Sequence, residues 1–437
     1  MPKKPISRGI WRVVAIAGIV APAVADDGPA RSPKAGWKFD FGPGKVAPGW
    51  SAVLPSTAYR PELGHGFEPG SKVVGVDRGG DDPLRDGYCG ADGPFSFSVA
   101  VPEGNYRVRV TLGDRSGEST ATIKAESRRL MVESVRTAPG EFATRAFTVN
   151  VRNSKIPAGG QVRLKAREAG VLHWDDKLTL EFLATHPCVC AVEIERADDA
   201  VTVYLAGDST VTDQPREPWN SWGQMLPRFF KPGVAVANHA ESGETLCGFV
   251  SEKRLEKILS AIRPGDYLLI QFGHNDQKER GEGVGAFTTY KQSLKRFVAD
   301  ARRLGALPVL VTPMNRRSFD PDGKVNNSLG DYPEAVRQAA REEGVPLIDL
   351  NAMSRPFYEA LGPEGSKKAF VDNTHHNNYG SYELARCVVE AIRRSKLDLV
   401  RFLVDDLPPF DPGHPDPSGD FHLPPSPSRD PSAPDGS

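Results

Sequence analysis

Two different spacings of hydrophobic residues divide the chain. In "FSFSVAV" (95–101) and "YRVRVTL" (106–112) apolar and polar side chains alternate, which is typical of half-buried β-strands. Further short runs of this kind are "TATIKA", "RAFTVNVR", "QVRLKA" (161–166) and "KLTLEFL". Many short strands separated by turns predict an all-β sandwich over residues 36–195.

After Ala200 the pattern changes to compact apolar runs separated by helical periodicity. The runs are 201–206, 234–240, 267–273, 307–313 and 345–350. Between them, apolar residues recur every three or four positions, as in Leu255, Ile258 and Ile262, so helices are expected there. Five such strands predict an α/β domain over residues 200–400, with a doubly wound parallel sheet covered on both faces. Ligands bind such sheets outside the carboxyl ends of the strands, so the residues just after each run matter most.

The two ends of the chain differ from the middle. A basic segment, an apolar run and the small residues Ala23-Val24-Ala25 predict a signal peptide over residues 1–25, and hence export to the periplasm or the exterior. The run is too short to span a bilayer, and no span is expected in the mature chain. The last 31 residues, 407–437, contain ten prolines. This composition predicts a disordered tail whose removal leaves the melting temperature nearly unchanged.

Charge and cysteine content argue against a nucleic-acid-binding protein and against a zinc protein. Lys and Arg number 55 and Asp and Glu 56, without a block of like charge, so nucleic acid is not an expected partner. The five cysteines are an odd number, so even after export at least one thiol stays free or pairs between chains. Cys188 and Cys190 lack the repeated spacing of a zinc site, and we expect no metal and no other cofactor.

Residues that suit acyl transfer follow the predicted strands. Ser209 lies in "GDSTV" after the first strand, Gly243 in "HAESGET" after the second and Asn275 in "GHND" after the third. Past the fifth comes "DNTHH", which begins at Asp372. Ser209 is a candidate nucleophile, a histidine its base and Asp372 the group that orients the imidazole. The backbone N–H groups of Ser209 and Gly243, with the Asn275 amide, would form the oxyanion hole. Each residue alone has a simpler explanation as a cap or turn, and only the ordered set points to catalysis.

The order GDS, Gly, GHND and DxxH resembles the SGNH (GDSL-like) hydrolases, whose initials correspond to Ser209, Gly243, Asn275 and His375 here. "YLAGDSTVTDQ", "LLIQFGHND", "VTPMNRR" and "DNTHHNNYGSYELA" are similar to the rhamnogalacturonan acetylesterases, over about residues 201–398. "FDFGPGKVAPGW" and "PEGNYRVRVTLGD" look like the galactose-binding-like accessory domain of bacterial members. The resemblance implies a flavodoxin-like fold and metal-free hydrolysis of O-acetyl esters.

Two adjacent histidines, His375 and His376, are candidates for the base. Spacings of three and four residues from Asp372 both bring side chains together on a helical turn, so the residues alone leave the choice open. In the SGNH family the histidine lies three residues after the aspartate and five before a glycine. Gly380 stands five residues after His375, so the resemblance implies His375.

Three groups of residues are candidates for binding a sugar. The first is His274 and Asp276 beside Asn275, and the second is the pair Trp219 and Trp222. The third, after the fourth strand, is Asn315, Arg316 and Arg317. The first group either lines the sugar site or holds its loop by hydrogen bonds. The tryptophans either stack on sugar rings or belong to the core. The arginines either meet galacturonate carboxylates or are solvated at the surface.

The expected function is therefore that of an exported serine carbohydrate esterase acting on acetylated pectic rhamnogalacturonan. Two alternatives stay open from the sequence, and they are an esterase for xylan or another acetylated glycan, and a non-catalytic glycan-binding protein of the same fold. The complete set of catalytic residue types favours an enzyme. The sequence contains neither the GxSxG nor the HExxH motif, which argues against an ordinary α/β-hydrolase and against a zinc protease.

Overall fold

A computed structural model describes residues 1–2, 36–395 and 397–434. Apart from its first two residues, the predicted signal peptide (1–25) lies outside the described residues and stays a prediction. Within the described ranges, no helix has the length and hydropathy needed to cross a bilayer. All five cysteines lie in these ranges and are free thiols.

The alternating runs of the first half form two sheets that face each other across a hydrophobic core. Strands β3, β6, β11, β8 and β9 form one sheet in that order, and β10, β7, β12, β1 and β2 form the other, with β5 on β12 and β4 on β5. The core between them contains Phe97 and Leu180 from the first sheet and Val108 and Val192 from the second. The predicted sandwich is thus confirmed, with a short helix α1 (Pro83–Asp86). Its strands are β1 (Gly36–Phe41), β2 (Ser51–Val53), β3 (His65–Phe67), β4 (Val74–Asp77), β5 (Gly87–Gly90), β6 (Phe95–Ala100), β7 (Gly104–Gly113), β8 (Ser119–Ala125), β9 (Arg129–Thr137), β10 (Phe142–Val151), β11 (Lys177–Leu183) and β12 (Cys188–Arg196).

One predicted strand is missing. Residues 161–166 form no strand and make only a single bridge, between Lys155 and Gln161. The backbone N–H of Arg163 instead donates to the carbonyl of Glu252 in the second domain (2.9 Å). The alternating pattern here therefore marks a segment that docks on the second domain, with Val162 buried.

The second domain is built on a parallel sheet in the order β14, β13, β15, β16, β17. This order is that of flavodoxin-like folds and confirms the predicted architecture. The strands are β13 (Val201–Gly207), β14 (Val234–Asn238), β15 (Tyr267–Gln271), β16 (Leu307–Val311) and β17 (Leu347–Ile348). The helices are α2 (Trp222–Met225), α3 (Leu246–Ser251), α4 (Arg254–Ala261), α5 (Lys291–Arg303), α6 (Tyr332–Glu343), α7 (Leu350–Gly365) and α8 (Asn378–Arg394).

Alternate residues of β13 show why both faces of the sheet are covered. Val203 and Leu205 pack in one core with residues of α2, α7 and α8. Tyr204 and Ala206 point the other way and pack with residues of α3, α4, α5 and α6. Since both sets of side chains are buried, the strand is a continuous apolar run rather than an alternating one.

The C-terminal segment corrects the prediction of a disordered tail. Residues 407–434 lie against both domains. Phe410 belongs to the core of the second domain. The backbone N–H of Glu217 donates to Ser428 O (2.8 Å), and Ser426 Oγ donates to Glu181 Oε2 (2.7 Å). Composition misleads here because each proline removes a backbone donor, so an irregular segment can be buried with few unsatisfied N–H groups.

We expect Phe410→Ala to destabilise the protein. Phe410 is 4% exposed, and the Arg386 guanidinium lies 4.2 Å from its ring centroid. Truncation of a buried phenylalanine costs about 3 kcal/mol, so the melting temperature should fall by roughly 5 °C or more. Asp420→Ala, at an exposed position of the same segment, is the control and should melt like the wild type. Equal melting temperatures for the two variants would show that this segment does not pack as described.

Candidate active site

Ser209 lies at the carboxyl end of β13, in a turn closed by its neighbours. Asp208 Oδ1 accepts hydrogen bonds from the backbone N–H (3.0 Å) and the hydroxyl (2.7 Å) of Thr210. Burial raises the pKa of Asp208, but the opposing effects of His274 and Thr210 are larger and hold it below its usual value. The turn therefore fixes the backbone on both sides of Ser209 and aims its hydroxyl at the sheet edge.

Ser209, His375 and Asp372 form a continuous hydrogen-bonded chain. Ser209 Oγ lies 2.8 Å from His375 Nε2. On the other side of the ring, His375 Nδ1 lies 2.8 Å from Asp372 Oδ2. The remaining carboxylate oxygen of Asp372 accepts the backbone N–H groups of Thr374 and His375, each at 2.6 Å. The carboxylate is thus fixed by its own loop and in turn fixes the imidazole.

Asp372 is held in its charged form. Burial raises the pKa of its carboxyl, but the hydrogen bond and charge of His375 and the two backbone donors outweigh burial and bring the pKa to about 2. A carboxylate that stays ionised can stabilise positive charge on the neighbouring ring.

His376 lies in a different environment, although it is the next residue. Its Nε2 lies 2.8 Å from the hydroxyl of Tyr358, and its ring centroid lies 4.1 Å from that of Phe370. The side chain is buried, and burial lowers the pKa of His376 to about 3. This histidine faces the core and not Ser209.

Gly243 and Asn275, the other predicted oxyanion residues, belong to two loops that are hydrogen-bonded to each other. Asn275 Nδ2 donates to the carbonyl of Glu244 (3.1 Å), the residue after Gly243. Gly243 has φ +78°, a left-handed conformation in which a side chain would be strained. The contact positions the asparagine amide and leaves its second N–H for a ligand.

Sequence reasoning missed Gln214, which joins the nucleophile turn to the Gly243 loop. Its Nε2 donates to Ser209 O (3.0 Å) and lies 3.4 Å from Ser242 Oγ. Gln214 ends the segment "GDSTVTDQ", but a glutamine in a turn carries no signal of such a role from the sequence alone.

The residues flanking Asn275 are buried behind the site. His274 Nε2 donates to Met314 O (3.0 Å), and its Nδ1 lies 3.4 Å from Asp208 Oδ2. Asp276 Oδ1 accepts from the backbone N–H of Leu246 (2.9 Å), and burial raises the pKa of Asp276 to about 7. Both side chains are placed to hold the loops together rather than to face solvent.

Trp222 and Asn315 also lie inside the protein. Trp222 is 1% exposed and donates from Nε1 to Gln271 Oε1 (2.9 Å). Asn315 donates to Asn351 O (2.7 Å) and to Ser354 Oγ (3.1 Å). Neither is placed to touch a sugar in this structure.

Arg316 and Trp219, unlike Trp222 and Asn315, contact the loop that carries His375. Arg316 donates to Thr374 Oγ1 (3.2 Å) and to His274 O (3.1 Å), and so connects the histidine loop to the oxyanion loop. The ring of Trp219 meets that of His375 edge to face, with centroids 5.6 Å apart. Arg317, in contrast, donates a hydrogen bond to Asn373 Oδ1 (2.8 Å) at an exposed position.

Comparison with known proteins identifies the family of each domain. The sequence profile of the GDSL-like lipase/acylhydrolase family matches residues 205–382, and that of the galactose-binding domain-like part of β-agarase/YXIM esterase-like proteins matches residues 37–156. The uncharacterized esterase YxiM of Bacillus subtilis (strain 168) is 30% identical over 380 residues, which cover 84% of this chain and 92% of YxiM. The chain belongs to the GDSL-like lipase/acylhydrolase family.

One further relative and one solved structure are similar to this GDSL-like hydrolase. The rhamnogalacturonan acetylesterase RhgT of B. subtilis (strain 168) is 45% identical over 221 residues, or 47% of this chain and 94% of RhgT. A crystal structure of YxiM is 27% identical and covers 83% of this chain and 99% of its own, with a TM-score of 0.44. Members of the family are carboxylic ester hydrolases, and so is this chain.

One cluster in this GDSL-like hydrolase has the side chains of a metal site. Glu168, His173 and Glu241 each place a ligand atom within 4.8 Å of the others. Both carboxylate oxygens of Glu168 accept hydrogen bonds from the Arg254 guanidinium (3.0 and 2.5 Å). Glu241 Oε1 accepts a hydrogen bond from Arg167 (2.9 Å). Because these guanidinium groups already neutralise the carboxylates, the cluster is a poor site for a cation.

We expect the burial of His376 to make the protein sensitive to acid. Its folded pKa of about 3 lies below the ordinary 6.5, so between pH 7 and pH 5 only the unfolded chain takes up this proton. Above pH 6.5 neither state binds this proton, and the unfolding free energy has its full value. By pH 5, proton uptake by the unfolded chain lowers the unfolding free energy by roughly 2 kcal/mol. His376→Phe should lose less stability over this range when urea denaturation is measured at both pH values.

Tyr358→Phe is the matched control for His376→Phe. It removes the same hydrogen-bond partner but keeps the imidazole, so it should retain the pH dependence of the wild type. If His376→Phe were as acid-sensitive as Tyr358→Phe, the lowered pKa would be wrong.

Proposed function

We propose that this protein hydrolyses O-acetyl esters of pectic rhamnogalacturonan through an acetyl-enzyme on Ser209. The observation that carries the proposal is the chain of two 2.8 Å contacts from Ser209 through His375 to Asp372. The choice of substrate is supported by the 45% identity to RhgT over 221 residues. No metal or other cofactor takes part in the steps proposed.

In the first step, Ser209 Oγ attacks the acetyl carbonyl while His375 Nε2 takes its proton. Asp372 keeps the ring oriented, and its negative charge stabilises the imidazolium that forms. The negative oxygen of the tetrahedral intermediate accepts hydrogen bonds from the backbone N–H groups of Ser209 and Gly243 and from Asn275 Nδ2. The imidazolium then gives its proton to the sugar oxygen, which leaves as a hydroxyl.

In the second step water takes the place of the serine hydroxyl. His375 removes a proton from the water, which attacks the acetyl-enzyme, and the same oxyanion donors are used again. Collapse of the second intermediate returns the proton to Ser209 Oγ and releases acetate. Atoms and protons balance over the cycle, since ester and water give acetate, one proton and the sugar hydroxyl.

The decisive experiment measures acetate released from acetylated rhamnogalacturonan by the wild type and by Ser209→Ala. We expect the variant to lose at least about 10⁴-fold in kcat while its circular dichroism and melting are retained, because it lacks the hydroxyl on which the acetyl-enzyme is proposed to form. Ser251→Ala, at an exposed serine of α3, is the matched control and should keep the wild-type rate.

The same assay with acetylated xylan and with p-nitrophenyl acetate separates the alternatives. Preference for xylan would replace the proposed substrate but keep the mechanism. Absence of turnover on every ester would indicate a glycan-binding protein. A folded Ser209→Ala variant with normal activity would contradict the mechanism itself.

Asn275→Ala should lower kcat about 10²–10³-fold with a smaller effect on KM, because its hydrogen bond strengthens as negative charge develops on the oxygen. The control is Asn327→Ala, at an exposed loop position. Steady-state kinetics with p-nitrophenyl acetate give both constants. A change confined to KM would mean that Asn275 binds the substrate in its ground state.

A further inference from the structure

A cavity of about 510 Å³ lies where the sandwich, the hydrolase domain and the C-terminal segment meet. This volume is within the usual range of small-molecule sites. The wall includes Ser127 and Leu172 from the sandwich, Gln214, Trp219 and Ser242 from the hydrolase domain, and Ala433 from the C-terminal segment. No single domain could form this cavity.

Three of the wall residues contact the catalytic machinery. Gln214 donates to the carbonyl of Ser209 (3.0 Å), Trp219 packs on the ring of His375 with centroids 5.6 Å apart, and Ser242 directly precedes Gly243. The cavity therefore adjoins residues that contact Ser209 and His375, and is one residue removed from each of them.

The wall carries hydroxyl and amide groups, and two of its arginines are already paired with acids. Arg128 forms an ion pair with Glu217 (2.6 Å), and Arg216 forms one with Asp430 (2.5 Å). A ligand carboxylate would have to compete with these acids, whereas an uncharged ligand with many hydroxyl groups would not. Partly buried apolar positions such as Leu172 suit the C–H faces of a sugar ring.

Two wall residues, Glu126 and Arg128, each have a buried polar atom without a hydrogen-bond partner among the described residues. Glu126 is 2% exposed, and its Oε2 has no hydrogen-bond partner among the described residues, although its Oε1 accepts from Thr179 N (3.1 Å). A buried oxygen without a partner is costly, and a ligand hydroxyl would satisfy it. Burial raises the pKa of Glu126 to about 8, so near neutral pH its carboxyl can also donate.

We propose that this cavity binds an uncharged sugar residue of the acetylated glycan, next to the residue that carries the ester. The inference rests on the proposed function and deepens it. The sandwich and the C-terminal segment then take part directly in substrate binding, and chain-length preference arises between the domains.

The test fills the cavity from two sides with Leu172→Trp and Ala433→Trp. Ala433 is exposed, so its replacement is compatible with folding even if that of Leu172 is not. Val74→Trp, at a residue of the sandwich that is 54% exposed and outside the cavity wall, is the matched control. The measured quantity is the ratio of kcat/KM for an acetylated oligosaccharide to kcat/KM for p-nitrophenyl acetate.

We expect this ratio to fall at least about tenfold in both cavity variants, and to keep the wild-type value in Val74→Trp. A ratio within twofold of the wild type for a folded Ala433→Trp variant would overturn the proposal while leaving the proposed function intact.

Binding can be measured without turnover in the Ser209→Ala background. Calorimetric titration with a deacetylated oligosaccharide should give a Kd at least about tenfold weaker when Ala433→Trp is added. Equal Kd values would overturn the cavity as a sugar site. Absence of acetate release from every glycan, with normal cleavage of p-nitrophenyl acetate, would instead overturn the proposed substrate class.

Discussion

Arg128 and Glu217 form an ion pair of 2.6 Å between side chains that are only 4% and 5% exposed. Arg128 is at the tip of the β8–β9 hairpin of the sandwich, and Glu217 is in the loop after Ser209. Burial raises the pKa of Glu217, but Arg128 and Lys124 outweigh it and keep the acid charged. Such a pair adds little net stability over apolar packing, but removing one partner leaves a buried charge at a cost of about 3–5 kcal/mol. The two domains therefore fit together in one register, because any other would leave these charges unpaired.

The tip of the same hairpin is connected to Ser209 by hydrogen bonds through one intermediate residue. Arg128 donates to the carbonyls of Gln214 (3.0 Å) and Trp219 (2.8 Å). Gln214 in turn donates to the carbonyl of Ser209, and Trp219 contacts the ring of His375. The sandwich thus supports both the turn that holds Ser209 and the ring of His375. This arrangement explains why the sandwich and the hydrolase domain pack as parts of one unit and not as independent modules on a linker.

The sequence predicted what depends on local pattern. Alternation in β6 and β7, and continuous apolar runs in β13 to β16, follow from whether one face or both faces of a strand are buried. The candidate residues Ser209, Gly243, Asn275 and Asp372 could be named from the sequence because parallel strands bring their carboxyl ends to one edge of the sheet. The C-terminal segment and the role of Arg128 were not predictable, because their partners lie tens to hundreds of residues away along the chain. The role of Gln214 was not predictable either, because a glutamine in a turn carries no signal of such a contact. Trp222 and Asn315 show the same limit, since a residue next to the site in sequence can point into the core.

The adjacent histidines show how strongly the surroundings decide chemistry. A one-residue step along the chain reverses the direction of a side chain in the extended stretch before α8, so only one of the two rings can face Ser209. The backbone of the loop makes this choice, because Asp372 accepts the N–H of His375 and Val371 N donates to its carbonyl (2.9 Å). His376 is then forced inward against Phe370, where only a neutral ring is tolerated. A histidine that exchanges a proton with a hydroxyl needs a carboxylate on one ring nitrogen and that hydroxyl on the other. This loop supplies the carboxylate of Asp372 and turns the ring of His375, and not that of His376, towards Ser209 in the turn after β13.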